Sequence, residues 1–514
     1  MNKSIMCSIV ALVLAGNASA VYEYDSLYAE LAELDIAAEK AWDEVKTPAE
    51  YAARKQELRK KMIADIGGLF ERCPLNAEIT GTIPRDGYRI EKVIFETLPG
   101  IRLTALVFVP DAAKFKPPYP AVAVTCGHAQ EGKANSGYQR ACVMGAQEGF
   151  LMCIYDPFGQ GERVMGSSGN CAGHNNFEAV ALRAGRSAAA FRIWDGMRVL
   201  DYLESRPDVK RDRLGLMGNS GGGTMTSLIM ALEPRLKAAA PSCYISSMRE
   251  VVKAIGPQDA EQCIWGQLKD GINHASLVLM ADAAVRLQFS QDDFFPIKGA
   301  LSTYEVVRKT AERLGRGTRY SKTVVPGPHG WKESSRRSSL DWMRQWLMDE
   351  KPNGKTDADY AALDKTFDPK TADMGISQRE AAVTKTGGLK WIKGERDFYD
   401  FIIDEVIGAK TPRLVFCATE GGRHSYYGGG VAEENAVVAR MLGKSLVAMR
   451  RDKILEAARA FAKKEGKKPV LVAYDSCWEQ AAAKAYAAHP ELFAGFKSLG
   501  TGTVNAAERG EALK

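Results

Sequence analysis

Beyond its first twenty residues, the sequence lacks any apolar run long enough to cross a lipid bilayer. It also lacks a strong charge of one sign, since 69 basic and 63 acidic residues leave a net charge of +6. The basic residues do not cluster with aromatic residues, so the composition does not indicate binding to nucleic acid. We therefore expect a soluble protein without a membrane span, whose oligomeric state the sequence leaves open.

Patterns of metal ligands are equally scarce. The ten cysteines form no Cys-x-x-Cys pair, and no cysteine–histidine cluster has the spacing of a zinc site. Cys126 and Cys153 lie in apolar, strand-like runs, where cysteine packs as a small hydrophobic residue. We predict that the protein uses no metal and no cofactor, while disulfides stay possible in an exported chain.

The first twenty residues, MNKSIMCSIVALVLAGNASA, have the pattern of a secretory signal peptide. One lysine precedes an apolar run from Ile5 to Ala15, and small residues stand at Ala18 and Ala20. We expect cleavage after Ala20 and a secreted or periplasmic protein, and the alternative is a buried N-terminal helix.

Strand and helix patterns alternate through the middle of the chain. A charged helical stretch at 22–66 comes first, and apolar strand patterns follow at 88–98, 102–110, 120–126, 150–156, 214–217, 238–242, 285–290 and 320–326. Such alternation predicts an α/β fold with a mostly parallel, doubly wound sheet. We divide the chain into a signal peptide at 1–20, a catalytic domain with an N-terminal helical cap at 21–350, a polar linker at 351–375 and a second α/β domain at 376–514.

The stretch GNSGGG at 218–223 joins an apolar strand to a helix. Its Gly-x-Ser-x-Gly spacing matches the strand-to-helix elbow that exposes a nucleophilic serine, here Ser220. The alternative is a flexible turn. A phosphate-binding loop is disfavoured, because such a loop needs a lysine before its serine or threonine.

A serine nucleophile needs a base and an acid, which follow it in the order acid, then histidine, in hydrolases with this elbow. Of only six histidines, His329 lies after the last strand of the first domain, whereas His274 precedes the acidic candidates. Asp292 and Asp293 end an apolar strand, and we favour Asp293 because proline and aromatic residues behind it would fix the loop. An ordinary loop histidine and a solvated acidic pair are the alternatives.

Two backbone N–H groups would form the oxyanion hole. One belongs to Gly221, and the other comes from the loop TCGHAQEGK at 125–133, where His128 or Ala129 is the candidate donor. His128 is alternatively a substrate contact or a buried loop residue.

Several longer stretches together resemble one known family. They are CGHAQEGK, DPFGQGER, GRSAAAFRIWDGMRVLDYLESRPDV, RLGLMGNSGGGTMTSL, APSCYISS, GPQDAEQ, DDFFPIKGA and PGPHGW. Across most of residues 50–350 the chain resembles the acetylxylan-esterase-like branch of the α/β-hydrolase superfamily. This resemblance implies that fold, with Ser220 as nucleophile, Asp293 as acid and His329 as base, and an esterase of acylated plant polysaccharides or small esters.

Two further stretches are candidates for substrate contacts. Glu162 and Arg163 follow the fourth strand, although a structural salt bridge explains them as well. Gln258, Glu261 and Trp265 combine hydrogen-bonding groups with a ring that can stack on a sugar, and a plain lid helix is the alternative.

The second domain resembles a degenerate copy of the first. GKSLVAMRRDKILEAARAF from residue 443 parallels GRSAAAFRIWDGMRVLDYL from residue 185, and strand patterns occur at 413–422 and 469–475. Ser476 takes the place of Ser220, but Tyr474 and Trp478 replace the elbow glycines, so we expect no catalysis there. Chance similarity of two strand–helix units is the alternative.

These features lead us to expect a secreted serine carboxylic-ester hydrolase that works through an acyl-enzyme on an acylated carbohydrate or small ester. A serine peptidase of the same superfamily is one alternative, although no propeller-like repeats are present. A non-catalytic binding protein built on this fold is another.

Overall fold

The computed structural model describes residues 17–164, 177, 178, 181, 185–383, 437–465, 468, 470–473, 476–493 and 495–498. The chain divides into two compact units. The larger unit comprises Leu34–Ile255 and Asp259–Val415, and the smaller unit comprises Met1–Glu33, Gly256–Gln258 and Phe416–Lys514. Residues 1–16 of the predicted signal peptide and the strand predicted at 413–422 lie outside the described residues. Within the described part of the chain, no helix is both long and apolar enough to cross a membrane.

The larger unit is built on a nine-stranded sheet with the order β1-β2-β3-β5-β4-β6-β7-β8-β9. Its strands are β1 Glu78–Arg85, β2 Tyr88–Leu98, β3 Ile101–Pro110, β4 Tyr119–Thr125, β5 Leu151–Tyr155, β6 Val209–Asn219, β7 Leu236–Ser242, β8 Ala284–Asp292 and β9 Tyr320–Pro328. The pairs β1–β2, β2–β3 and β3–β5 are antiparallel. The remaining neighbours in the sheet, from β5 through β4 and β6 to β9, are parallel. The predicted, mostly parallel sheet is confirmed.

Helices cover both faces of this sheet. They are α1 Asn17–Asp43, α2 Pro48–Asp65, α3 Ser136–Ala146, α4 Ala188–Ser205, α5 Gly221–Leu232, α6 Met248–Ile255, α7 His274–Met280, α8 Ile297–Arg313, α9 Glu333–Leu347, α10 Asp357–Thr366 and α11 Gln378–Ala381. Side chains of β3 alternate between two cores, with Ala105 and Val107 in one and Leu106 and Phe108 in the other. A strand buried on both faces explains the continuous apolar run in its sequence.

The predicted N-terminal helical cap consists of two helices. Thr47 is the N-cap residue of α2 and forms a capping box with Glu50, and Pro48 begins the helix. The Trp42 indole donates a hydrogen bond to Ser276 Oγ at 3.0 Å, and the Tyr51 hydroxyl donates to the Leu279 carbonyl oxygen at 2.6 Å. Both contacts fix the cap against α7.

The strand β1 is one element that the sequence did not reveal. Its sequence EITGTIPR contains Gly81 and Pro84 and no apolar run, and its residues are half-buried or exposed. Glycine and proline both disfavour a central strand, and β1 tolerates them because it lies at the edge of the sheet.

The segment interpreted as a linker carries α10. The side chain of Tyr360 is buried, and its hydroxyl donates to Asp341 Oδ2 at 3.1 Å. Just beyond the segment, the Ile376 N–H donates to Gln139 Oε1 at 2.9 Å, and the Thr80 hydroxyl donates to the Val383 carbonyl oxygen at 2.8 Å. The described chain therefore packs within the larger unit as far as residue 383. The boundaries of the second domain stay a prediction.

The smaller unit contains a parallel pair of strands, β10 Val470–Ala473 and β11 Gly495–Ser498. Helices α12 Leu446–Glu465 and α13 Ser476–Ala488 accompany them, and Leu455, Ala458, Leu471, Ala481 and Phe493 belong to their core. Two parallel strands joined through a helix form a strand–helix–strand unit. That this unit is a degenerate hydrolase copy stays a prediction.

Candidate active site

Ser220 stands at the sharp turn between β6 and α5. Its backbone has φ 60° and ψ −128°, a positive φ that is unfavourable for a residue with a side chain and persists only where the surroundings hold it. The Ser220 N–H donates to the carbonyl oxygen of Ser242, the last residue of β7, at 3.0 Å. The turn is thus strained and held by the sheet, as a nucleophile elbow requires.

The glycines around Ser220 are explained by close backbone packing. A Cβ atom at Gly218 would lie 2.1 Å from Thr125 Oγ1. One at Gly222 would lie 2.1 Å from the Thr125 carbonyl oxygen, a backbone atom that does not move aside easily. The Gly-x-Ser-x-Gly spacing is therefore required by the fit of the elbow against β4.

Asp293 and His329 follow β8 and β9, and their side chains meet. Nδ1 of His329 lies 2.8 Å from Oδ1 of Asp293, and the same carboxylate oxygen accepts the Phe295 N–H at 3.0 Å. The side chain of Asp293 is 3% exposed, whereas Asp292 is exposed. This pair has the geometry of an acid that orients a base, and it favours Asp293 over its neighbour.

The aromatic residues after Asp293 also contact the histidine. The ring of Phe294 lies over the ring of His329 with a centroid distance of 4.2 Å. Strands β6 to β9 are adjacent and parallel, so the loops that follow β6, β8 and β9 emerge at one edge of the sheet. Those loops carry Ser220, Asp293 and His329.

Cys243, which the sequence analysis did not single out, lies next to the acid–base pair. Burial and the charge of Asp293 raise the pKa of its thiol to about 11, so the thiol stays protonated at neutral pH. The thiol lies 3.5 Å from Ser290 Oγ, which makes it a packing group in the loop after β7. The free cysteines among the described residues are Cys73, Cys126, Cys142, Cys153, Cys243 and Cys263.

The loop after β4 lies beside the elbow. A Cβ atom at Gly127 would lie 3.1 Å from Cβ of Ser220, so glycine permits this approach. The side-chain amide of Gln160 donates to the carbonyl oxygens of Gly127 and Ala129 at 2.6 and 2.7 Å. Because the Ala129 N–H donates to the Gly127 carbonyl oxygen at 2.7 Å, the N–H of His128 is the better candidate for an oxyanion donor.

Gly221 is the first residue of α5. The first N–H groups of a helix have no acceptor within the helix, and they lie at its positive end. The N–H of Gly221 is therefore available to an anionic oxygen beside Ser220.

The side chain of His128 belongs to a buried charged cluster that we define by His128, Asp259, Glu261 and Arg192. Nε2 of His128 lies 2.7 Å from Oδ2 of Asp259 and 3.7 Å from Oε1 of Glu261. Arg192 forms an ion pair with the other carboxylate oxygen of Glu261. Burial acts to lower the pKa of His128, but the charge and hydrogen bond of Asp259 outweigh it, and the pKa is raised.

This charged cluster corrects one prediction and adds two residues. Glu261 is fully buried and ion-paired, so it acts on other protein groups rather than on a sugar hydroxyl. Asp259 and Arg192 were missed, because ion pairs between segments this far apart in the chain leave no local pattern in the sequence.

Glu162 and Arg163, the predicted substrate contacts after β5, are both held by partners within the protein. Arg163 is fully buried, and its guanidinium donates to Asp195 Oδ2 at 2.5 Å. The carboxylate of Glu162 lies 2.5 Å from Lys133 Nζ and accepts the Val383 N–H at 2.9 Å. The structural salt bridge that the sequence analysis kept as an alternative describes both residues.

The remaining candidates differ in exposure. Gln258 is buried, belongs to the smaller unit and donates to the Gly256 carbonyl oxygen at 3.3 Å. The side chain of Trp265 is 43% exposed. His274, which the chain order excluded as the base, is buried, and burial lowers its pKa to about 4, so it stays neutral.

Two groups of described residues bring three possible metal ligands within 4.8 Å of one another. They are Cys243 with Asp293 and His329, and His128 with Asp259 and Glu261. Each group contains a hydrogen-bonded acid–histidine pair, which is Asp293 with His329 in the first and Asp259 with His128 in the second.

Comparison with known proteins agrees with this architecture. A model of the abhydrolase family matches residues 27–261. The protein named Putative hydrolase YtaP, from Bacillus subtilis (strain 168), is 27% identical over 202 residues, which are 37% of this chain and 64% of the relative. The chain thus spans less than two thirds of the length of that relative.

Two solved structures are similar to this chain. Methylesterase BT1017 superposes with a TM-score of 0.52 at 19% identity, covering 68% of this chain and 73% of that one. An acetyl xylan esterase from Paenibacillus sp. R4 has a TM-score of 0.42 at 17% identity, with 60% and 94% of the two chains covered. The family match and the first of these structures confirm the predicted α/β-hydrolase fold.

Proposed function

We propose that this protein of the α/β-hydrolase fold is a serine ester hydrolase with Ser220 as nucleophile, His329 as base and Asp293 as acid. The observation that supports the proposal most is the hydrogen bond of 2.8 Å between His329 Nδ1 and Asp293 Oδ1, together with the strained elbow at Ser220. The alternative of a binding protein without catalysis explains neither the strain nor the buried carboxylate.

In this mechanism Ser220 Oγ attacks the ester carbonyl carbon while Nε2 of His329 takes the hydroxyl proton. Asp293 holds the imidazole in the tautomer with a proton on Nδ1 and stabilises the imidazolium that forms. The imidazolium then gives its proton to the leaving alcohol, and an acyl-enzyme remains. A water molecule, activated by the same histidine, releases the acid and restores Ser220.

The oxygen that becomes negative in each tetrahedral intermediate would be bound by the N–H groups of Gly221 and His128. The first lies at the positive end of α5, and the second lies on the loop that Gln160 holds. Donors fixed before the reaction lower the barrier because they need no reorganisation when the charge develops.

We assign the substrate to the class of acylated carbohydrates and related small esters. The resemblance of the sequence motifs to acetylxylan-esterase-like proteins supports this class, and the similarity to the solved methylesterase supports an ester as the bond that is cleaved. The exposed ring of Trp265 is a candidate for stacking on a sugar. We also propose export, on the pattern of the first twenty residues.

A panel of esters tests this proposal. Acetylated xylooligosaccharides, p-nitrophenyl acetate, methyl glucuronate esters and peptide nitroanilides are compared with wild type and with Ser220→Ala. We expect turnover of at least one ester, and we expect the variant to lose several orders of magnitude in kcat, because only oxyanion and binding contributions would remain.

Two results would contradict the proposal. Cleavage of the nitroanilides without cleavage of any ester would indicate a peptidase. Ester turnover that survives in folded Ser220→Ala would place the nucleophile elsewhere. Hydrolysis of the methyl glucuronate esters alone would keep the mechanism and change the acyl group.

A further inference from the structure

The imidazole ring of His128 lies directly against the first turn of α5. A Cβ atom at Gly221 would lie 2.8 Å from both Cε1 and Nδ1 of this ring, and 3.0 Å from Oε1 of Glu261, whose other carboxylate oxygen pairs with Arg192. The edge of the ring that carries Nδ1 therefore faces the residue whose N–H is the proposed oxyanion donor. The opposite nitrogen, Nε2, faces Asp259 at 2.7 Å.

The charges around the ring favour its protonated form. The carboxylates of Asp259 and Glu261 lie 2.7 and 3.7 Å from Nε2, and the guanidinium of Arg192 pairs with Glu261. The negative charges of the two carboxylates favour the protonated ring, and the positive charge of Arg192 and burial oppose it. The carboxylates prevail, since the pKa of His128 is raised.

We propose that the side chain of His128 is an imidazolium that stabilises the oxyanion electrostatically, in addition to the hydrogen bond donated by the backbone of the same residue. Asp259 and Glu261 are then positioning residues that keep the imidazolium charged. The inference rests on the proposed serine esterase function and deepens it, because it assigns a positively charged side chain to one side of the reacting carbonyl.

The physical reason is the geometry of charge development. In the resting enzyme the imidazolium pairs with Asp259 and Arg192 pairs with Glu261, and the substrate carbonyl is uncharged. When the tetrahedral intermediate forms, a negative charge appears beside Gly221, on the side of the ring opposite Asp259. A fixed charge in a water-poor site acts more strongly on that oxygen than solvent would.

This account predicts a specific dependence of kcat on pH. On the alkaline side, activity falls as pH rises through the raised pKa of His128 and the imidazolium becomes neutral. A serine esterase whose oxyanion hole contains only backbone N–H groups has no such alkaline limb.

Three variants separate this role from packing. His128→Asn is expected to lower kcat by about tenfold to a hundredfold, with KM within about twofold and without the alkaline limb. The effect stays below the cost of about a hundredfold or more for the loss of an oxyanion donor, because the variant keeps the backbone N–H and loses only the charge of the side chain. Asp259→Asn is expected to shift the limb to lower pH by about one unit or more. Glu261→Gln should shift it less, because 3.7 Å separates it from Nε2 instead of 2.7 Å.

Asp292→Asn is the matched control, since this exposed carboxylate lies outside the charged cluster. It should leave the pH profile unchanged. Each variant is checked for folding by circular dichroism and thermal unfolding, so that a shifted pH profile is read only from folded protein.

A second measurement does not depend on turnover. The ring resonances of His128, assigned by their loss in His128→Asn, are titrated by NMR, and we expect half-protonation above neutral pH and a lower value in Asp259→Asn. A neutral His128 at pH 7, or an alkaline limb unchanged in both Asp259→Asn and His128→Asn, would overturn the inference. Ester turnover that Ser220→Ala abolishes would still uphold the proposed function in that case, whereas absence of ester turnover would remove the function and leave the NMR result standing.

Discussion

At the scale of single residues, the account depends on which of two neighbouring acids orients the histidine. Asp293 is buried against His329, and Asp292 is exposed at the end of β8. We expect Asp293→Asn to retain its fold and to lose several orders of magnitude in kcat, because an amide would stabilise the wrong tautomer of the base. Steady-state kinetics of both asparagine variants check this prediction.

Asp292→Asn is the control and should stay within about twofold of wild type. If the two variants exchange their effects, the role of the acid moves to Asp292. If neither variant affects kcat, the hydrogen bond between Asp293 and His329 has no part in the reaction.

The elbow glycine Gly222 provides a second test at this scale. A side chain there would meet the Thr125 carbonyl oxygen, so Gly222→Val should abolish activity and destabilise the fold by several kcal/mol, as overpacking of a rigid site does. Gly81→Val is the control, because the atom nearest to its Cβ is the flexible end of Lys92. Thermal unfolding and ester turnover are measured on both. Near-normal turnover in Gly222→Val would mean that the turn is not tightly packed.

Sequence reasoning reached the residues that local pattern and chain order define. The glycines around Ser220 identify it as the candidate nucleophile, and the position of His329 after the last strand identifies it as the candidate base. Arg163 and Glu261 were predicted to contact the substrate. Their burial could not be recognised in the sequence, because it depends on partners far away in the chain. Asp195 and Arg192 both lie on α4, a helix that no local pattern connects to either residue.

At the scale of elements, the end of α2 carries a carboxyl pair that makes stability depend on pH. Burial, together with the charge and hydrogen bond of Asp270, raises the pKa of Asp65 to about 7, against about 4 in an unfolded chain. Between these values the folded state binds more protons than the unfolded state. Stability should therefore fall as pH rises from about 4 to about 7.

Asp65→Asn should remove this dependence, because the amide replaces the protonated form. We expect the urea midpoint of the variant to exceed that of wild type at pH 8 and to match it at pH 4.5. Asp86→Asn, in the exposed turn between β1 and β2, is the control. A wild-type midpoint that does not change between the two pH values would contradict the prediction.

Elements were predictable where burial imposes a simple pattern. Strand β2 begins and ends where its apolar run does, at Tyr88 and Leu98. Strand β1 was missed because an edge strand needs no apolar run. The helix α10 was missed because its Thr356 capping box and its single buried residue, Tyr360, stand in an otherwise polar stretch.

At the scale of the whole molecule, the segment 376–383 ties the chain to the larger unit. Residues 376–383 bond to Gln139, Thr80 and Glu162 of that unit. We expect a chain truncated after residue 383 to unfold at a higher temperature than one truncated after residue 375, by several degrees, since lost hydrogen bonds cost about 1 kcal/mol each. Equal melting temperatures would show that the segment contributes nothing to stability.

The smaller unit allows a separate prediction. Ser476 begins α13 after β10, but the sequence around it lacks the elbow glycines. Ser476→Ala should leave esterase activity within about twofold of wild type. A larger loss of kcat with unchanged folding would show that this unit takes part in catalysis.

The central claim is that Ser220 is an activated nucleophile, and covalent labelling tests it most directly. The full-length protein is treated with a fluorophosphonate at pH 7.5, and the modified residue is located by mass spectrometry of its peptides. We predict one phosphonate per chain, on Ser220, and none in Ser220→Ala. A phosphonate on any other residue, or folded protein that remains unmodified, would contradict the account.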